Sequence, residues 1–164
     1  MQKKEAIIVD IDVTIANNGH RARLLKKPKN FWKLFSRLGI QVLLVQQGKF
    51  DFFITEYIES LMDDKPIERA INRIDELYND GFEILIVTGR PETYESITLE
   101  WLKKYLPFDY FNLFQRKQDD FRPSYQVKKS ILIEFKKEYK IKFFLDDNEK
   151  DINMYQSEGC RLLT

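Results

Sequence analysis

The sequence predicts a Rossmann-like, three-layer α/β sandwich built on a central parallel sheet, and three observations lead there. Strand-like and helix-like patterns alternate along the chain, the order of a parallel sheet with helices on both faces. The first strand is an unbroken apolar run, Ala6 to Val9, of the kind buried on both sides inside such a sheet. Three strands end in polar signatures: Asp10-x-Asp12-x-Thr14, Thr88-Gly89-Arg90 and Asp146-Asp147. Sites in parallel sheets form at the carboxyl ends of the strands, and three such endings together are harder to obtain by chance than one.

In chain order, the first strand is followed by a polar loop, Ala16 to Asn30, with Asn17-Asn18-Gly19 and the bases His20, Arg21, Arg23, Lys26 and Lys27. Phe31, Trp32, Phe35 and Leu38 have helical spacing, and Gly39 ends that helix. Ile40 to Val45 is a strand or a buried helix. Phe50, Phe53, Ile54, Tyr57, Ile58 and Leu61 mark one face of a helix reaching Met62. Asp64 is a candidate cap for the next helix, patterned by Ile67, Ala70, Ile71, Ile74, Leu77 and Tyr78 and stopped by Asp80-Gly81.

Glu83 to Val87 reads as the second strand, and a helix spans Glu92 to Tyr105. The third strand lies in the aromatic stretch Phe108 to Phe114. A basic loop, Gln115 to Gln126, leads to a helix over Val127–Tyr139. Ile141 to Leu145 is the fourth strand; a helix over Glu149–Ser157 and a short strand after Gly159 follow. Residues 1–164 read as one domain, with 30–62 as a small helical cap or lid inserted after the first strand.

The net charge of +1 gives no bulk electrostatic case for nucleic acid or membrane, so any such role rests on local patches. The single cysteine, Cys160, makes no internal disulfide and fits a reducing compartment. The charged start has no signal-peptide pattern, and no apolar run reaches the roughly 20 residues that span a bilayer. The expectation is a cytoplasmic protein with no membrane partner.

Asp10 and Asp12 lie two apart on an extended strand and so face one small volume. Their repulsion calls for a cation or a shared proton. On the tripeptide alone, an Asp-rich turn reads equally well. Thr88 and Gly89 suit a phosphate cradle, glycine letting the backbone approach closely, but also an ordinary strand-to-helix turn.

Taken together, the three strand ends and a lysine before the fourth strand resemble the haloacid dehalogenase (HAD) superfamily of phosphohydrolases. Gln115-Arg116-Lys117-Gln118, Arg122 and Val127-Lys128 resemble the 3′-phosphatase domain of phage polynucleotide kinase, as does Phe143 to Asp147 through Met154-Tyr155 to Gly159. The resemblance covers roughly 5–38 and 63–162 and leaves 39–62 unmatched. No Gly-x-x-x-x-Gly-Lys-Ser/Thr loop occurs, so the kinase half is not expected.

The resemblance implies a HAD-like fold and a Mg2+-dependent phosphomonoester hydrolase working through an aspartyl-phosphate. The implied substrate is a phosphorylated small molecule or a nucleic-acid end, with a 3′-phosphate the leading case. It implies Asp10 as nucleophile, Asp12 as general acid and base, Thr88 as a phosphoryl-oxygen ligand, and Lys128, chosen over Lys129 by the Val-Lys match, as the screening cation. Gly89, Arg90, Arg116 and Arg122 are the expected substrate-binding residues. Asp10, Asp12, Asp146 and Asp147 are the expected Mg2+ residues, a donor set that suits a hard cation. Thr14 is expected to support the loop by hydrogen bonding. Phe121 and Tyr125 amid the bases of the 115–126 loop suit stacking on a base at a nucleic-acid end.

Three departures matter. Val13 stands where the superfamily usually has glycine, and a β-branched residue takes positive φ only at a cost. Ser124 replaces an acidic residue of the phage enzyme, and Asn148 replaces its arginine. They leave a second reading: a catalytically weak module that binds phosphate ends.

Overall fold

A computed structural model of the chain describes residues 3–20, 59–108 and 111–163. The helix expected over Phe31–Leu38, the run Ile40–Val45 and most of the helix expected over Phe50–Met62, hence the body of the expected cap, lie outside the described residues.

Five strands form the main sheet: β1 (Lys4–Val9), β4 (Glu83–Pro91), β5 (Asn112–Arg116), β6 (Tyr139–Leu145) and β7 (Arg161–Leu162), in the order β5-β4-β1-β6-β7. All their pairings are parallel. Between β1 and β4 runs a two-residue antiparallel pair, β2 (Ala16–Asn17) with β3 (Lys65–Pro66), which the sequence did not announce. The helices are α1 (Glu68–Asn79), α2 (Glu95–Tyr105), α3 (Ser124–Glu138) and α4 (Glu149–Ser157).

β1 is the centre of the sheet because it has no polar side to turn outward: Ala6, Ile7, Ile8 and Val9 are all at most 1% exposed. Its register sets Ile8 beside Leu85 of β4 and Phe144 of β6. Alternate side chains go to opposite faces. On one face Ala6, Ile8, Leu85, Val87 and Phe144 pack with Leu132 and Phe135 of α3 and Met154 and Tyr155 of α4. Each fully buried aliphatic side chain of this kind is worth roughly 1.5–3 kcal/mol. The neighbouring positions of the opposite parity, Ile7, Val9, Ile84 and Ile86, are buried too. α1 buries Ile71, Ile74 and Leu77, and α2 buries Thr98, Trp101 and Leu102. Tyr78 at the end of α1 stacks on Phe108, beyond α2, with ring centroids 4.5 Å apart.

Several boundaries differ from those expected. β4 does not stop at Val87 but runs on through Thr88, Gly89 and Arg90 to Pro91, with a register irregularity against β5. α3 begins at Ser124, one residue after Pro123, because proline's fixed φ suits a helix entry. Asp64 does not cap α1; the residue before α1 is Ile67, and Asp64 ends the 3-10 turn Ser60–Asp63.

The chain divides into two compact units, one comprising Met1–Asn17 and Lys65–Thr164, the other Asn18–Asp64. In the described part of the second, His20 Nε2 donates to Ser60 O at 3.1 Å and lies 3.7 Å from Asp64 Oδ1. Among the described residues, no helix is long and apolar enough to cross a membrane.

Candidate active site

The site forms where β1, β4 and β6 end side by side. The backbone of Asp10 continues the β1–β6 pairing, its N donating to Leu145 O at 2.9 Å, which holds Asp10 next to Asp146. The chain then turns sharply. Val13 N bonds Ala16 O at 2.8 Å, and the amides of Thr14, Ile15 and Ala16 all converge on Ile11 O at 3.0–3.2 Å and 2.9 Å. This knot forces Val13 to φ +64°, the only non-glycine residue with positive φ among those described. The turn therefore does demand the conformation that glycine takes freely, and Val13, half-exposed, bears the strain. Thr14 is not the expected hydrogen-bonding prop. Its buried Oγ1 has no hydrogen-bond partner, because the carbonyl of Ile11 already holds the turn through the backbone.

Lys128 of α3 is the hub. It is 3% exposed, and its Nζ lies 2.9 Å from Asp10 Oδ1, 2.6 Å from Asp146 Oδ2 and 2.9 Å from Asp151 Oδ2. Lys129, the alternative by sequence, points away and pairs with Glu158 at 2.8 Å. Burial works against the Lys128 ammonium, but Asp10 and Asp146 outweigh it and raise its pKa above the usual lysine value. Burial likewise pushes the Asp10 carboxyl up to about 7, against the pull of Lys128 and with the help of Asp146. Asp146 is raised by burial too, although Lys128 and the Asn148 amide, which donates to its Oδ1 at 3.0 Å, oppose this.

Asp10, Asp146 and Asp147 each offer a carboxylate oxygen, all within 4.8 Å of one another. Oxygens around an octahedral magnesium ion, with bonds near 2.1 Å, stand up to about 4.2 Å apart, so small side-chain rotations bring this trio into range. Partial burial also raises the Asp147 carboxyl. Such a group of carboxylates is what a hard divalent cation relieves. Asp12, expected in the same set, is turned elsewhere: Arg90 forks onto it, Nε to Oδ2 at 2.9 Å and Nη2 to Oδ1 at 2.9 Å.

The remaining expected residues are close by. Thr88 is buried, and its Oγ1 accepts from Arg90 N at 3.2 Å. A methyl group added at Gly89 would meet only Ser124 Oγ, at 3.8 Å. Gly89 thus keeps clear a space that a side chain would fill. Arg116 and Arg122 are engaged within their own loop. Arg116 Nε donates to Gly89 O at 3.2 Å, and its Nη1 donates to Asp120 O at 2.8 Å and to Arg122 O. Arg122 forks onto the Asp120 carboxylate and donates to Ser130 Oγ at 3.1 Å. That pairing holds Asp120 down at about 2. Between the two carbonyls that Arg116 holds sits Phe121, 90% exposed.

Asp151 is the residue that sequence reasoning missed. It is 2% exposed and reaches both Lys128 and the Ser124 hydroxyl, which donates to Oδ2 at 2.9 Å. In the sequence it looks like an acid in the first turn of α4, where it needs no further role.

The family model of the polynucleotide kinase PNKP phosphatase domain matches residues 56–163. The chain belongs to this phosphatase family. The match takes in Thr88, Lys128 and the Asp146-Asp147 pair, while β1 with Asp10 and Asp12 precedes it. No curated protein sequence matches the chain. Among solved structures, the fold is similar to a chain of the Pnkp1/Rnl/Hen1 RNA repair complex, at 21% identity and TM-score 0.70 over 99% of this chain and 42% of that one. It is also similar to the class C acid phosphatase from Bacillus anthracis with tungstate bound, at 16% identity and TM-score 0.61, covering 97% of this chain and 62% of that chain. The HAD hydrolase YfnB from Bacillus subtilis, bound to magnesium, matches at 16% identity and TM-score 0.57, over 99% of this chain and 88% of that chain. The chain spans less than half the length of the RNA repair chains it matches. These likenesses make the architecture that of HAD hydrolases, as the strand ends predicted.

Proposed function

We propose that the chain is a Mg2+-dependent phosphomonoesterase that works through a phosphorylated Asp10 and accepts a nucleic-acid 3′-phosphate or a nucleotide-like monoester. The observation that carries this reading is the buried Lys128, held at 2.9 and 2.6 Å by Asp10 and Asp146, two of a group of three carboxylates. Asp10, Asp146 and Asp147 are the residues to hold the ion, which when bound neutralises charge on the transferring phosphoryl group.

The chain's own residues do the rest. An Asp10 carboxylate oxygen attacks phosphorus, forming the acyl phosphate as the bond to the leaving oxygen breaks. Asp12 gives that oxygen its proton and later takes one from the water that attacks phosphorus and frees Asp10. Lys128 pulls the Asp10 carboxyl toward its charged form against burial and screens the incoming phosphate. Thr88 and the open space beside Gly89 receive phosphoryl oxygens. An arriving phosphate competes with Asp12 for the Arg90 fork, and its success frees Asp12 for proton transfer.

The nucleic-acid side rests on the loop after β5. Arg116 ties both carbonyls flanking Phe121 to Gly89 O, so one guanidinium bridges that ring's backbone and the strand end meant for phosphate. A fully presented ring on a stapled loop suits stacking on the terminal base. On this reading Arg122, half-exposed, meets the next phosphate by exchanging Asp120 for substrate. On this reading residues 30–62 are a small insertion within the phosphatase domain, and the protein works in the cytoplasm.

The test compares rates on an aryl phosphate, a 3′-phosphorylated oligonucleotide and its 5′-phosphorylated isomer, with magnesium and with chelator. Magnesium-dependent hydrolysis favouring the 3′-phosphate supports the reading. Phosphate-end binding without turnover in any arm favours the weak binding module that Val13, strained at φ +64°, suggests.

A further inference from the structure

Val13 combines two features that folding does not explain. Its φ of +64° is a conformation in which a β-branched residue is strained. Yet half of the residue stands in solvent, while Ile11, Thr14, Ile15 and Ala16 around it are all buried. The turn would close as well with glycine, because the bonds that make it run from backbone amides to Ile11 O and Ala16 O. Strain that the fold does not need collects at functional sites.

The surroundings of Val13 say what it can touch. It follows Asp12 directly, and adjacent Cα atoms are about 3.8 Å apart. The group whose leaving oxygen Asp12 protonates therefore comes within reach of position 13. Among the described residues, large apolar side chains stand exposed at Val13, Phe121 and Ile133. The first two border the strand ends. Phe121 belongs to the loop after β5 and Val13 to the turn after β1, on either side of β4 in the sheet. Strands about 4.8 Å apart put β5 and β1 roughly 10 Å from each other, with Thr88 and Gly89 of β4 between them. A phosphate received at β4 thus has an apolar residue on each flank, which suits a leaving group with apolar faces.

We propose that Val13 is a specificity-determining residue. Its exposed side chain is the lip against which the leaving group rests, across β4 from Phe121, and it favours monoesters of nucleosides over those of small polar alcohols. The strained φ is kept because glycine, which would relieve it, offers the substrate no side chain. The kinetic consequence rests on the phosphatase reading; the consequence for binding does not.

The test uses two phosphates of secondary alcohols, a nucleoside 3′-monophosphate and glycerol 2-phosphate, so the bond broken is alike and the flanking surface differs. The readout is the ratio of their kcat/KM values with magnesium. Val13→Gly and Val13→Ala should each lower that ratio by about 3–10-fold, the effect of losing one or two methyl groups of contact. Val13→Ile, which keeps a branched apolar side chain, should leave it near the parent's. Equal losses on both substrates would mean that position 13 acts on the phosphoryl site itself. A gain on both in Val13→Gly would mark Val13 as decay. Either result overturns the proposal, as does an unchanged ratio. The same ratio is then read at equilibrium in the Asp10→Asn background, from calorimetric dissociation constants for the two monoesters with magnesium. If the parent turns over neither monoester, the phosphatase reading falls and the affinity ratio alone decides. Binding of neither monoester, or an affinity ratio unmoved by Val13→Ala, overturns the proposal.

Discussion

Arg90 holds Asp12 with a two-bond fork, Nε to Oδ2 and Nη2 to Oδ1, both at 2.9 Å, across 78 residues of sequence. The fork occupies both oxygens of the residue assigned to proton transfer. Lysine keeps the charge but not the planar pair of donors. Arg90→Lys should therefore lower kcat/KM by about 10–100-fold with little change in Tm. Steady-state kinetics on an aryl phosphate check this, and unchanged kinetics would make Arg90 a bystander.

Val13 is strained where glycine would not be. Holding a β-branched residue at φ +64° costs about 1–2 kcal/mol, of which the greater freedom of glycine in the unfolded chain takes back part. Val13→Gly should stabilise the protein by about 0.5–1 kcal/mol, a rise of roughly 2 °C in Tm. Thermal unfolding measures it; a lower Tm would mean that the Val13 side chain contributes packing that outweighs its backbone.

Chelated protein should be more stable at mildly acidic pH than at neutral pH. Burial raises Asp10 from its ordinary 3.8 to about 7, so between those values the folded state binds the extra proton. Stability then falls as pH rises through that window. Magnesium should reverse the trend, raising Tm with concentration at pH 7.5, and Asp147→Asn should blunt that response. Urea melts across pH in chelator, then with magnesium, give the sign directly.

Arg116 is tied to β4 as well as to its own loop, which its place in the sequence conceals. Read from the sequence alone, it is a substrate-binding residue of the basic loop 115–126. Its Nε, however, lies 3.2 Å from Gly89 O, one residue from Thr88. Arg116→Ala should slow aryl phosphate as well as oligonucleotide, whereas Phe121→Ala should affect only the oligonucleotide. The ratio of the two kcat/KM losses separates these roles.

What was legible in the sequence is what local chemistry dictates. The uninterrupted run Ala6 to Val9 could only be a central strand, and Ile71, Ile74 and Leu77 could only be the inner face of a helix. The polar ends of β1, β4 and β6 marked the site because the fold gathers strand ends. Illegible were the partnerships made across distance. Nothing at position 12 names Arg90, and nothing at position 151 names Lys128, because each pairing is set by strand order and helix docking. The pairing of Arg122 with Asp120, two residues away, was likewise hidden, because Asp120 reads as one more loop charge. Positive φ at Val13 was foreseeable as a conditional, and the backbone bonds converging on Ile11 O supplied the condition.

The central claim is that Asp10 is phosphorylated during turnover. Its direct test is rapid acid quench with substrate and magnesium, followed by peptide mass spectrometry and hydroxylamine treatment. The account predicts one hydroxylamine-labile phosphoryl group on the peptide containing Asp10, absent from a folded and inactive Asp10→Asn variant. A phosphoryl group on another residue, or full turnover by Asp10→Asn, would contradict it.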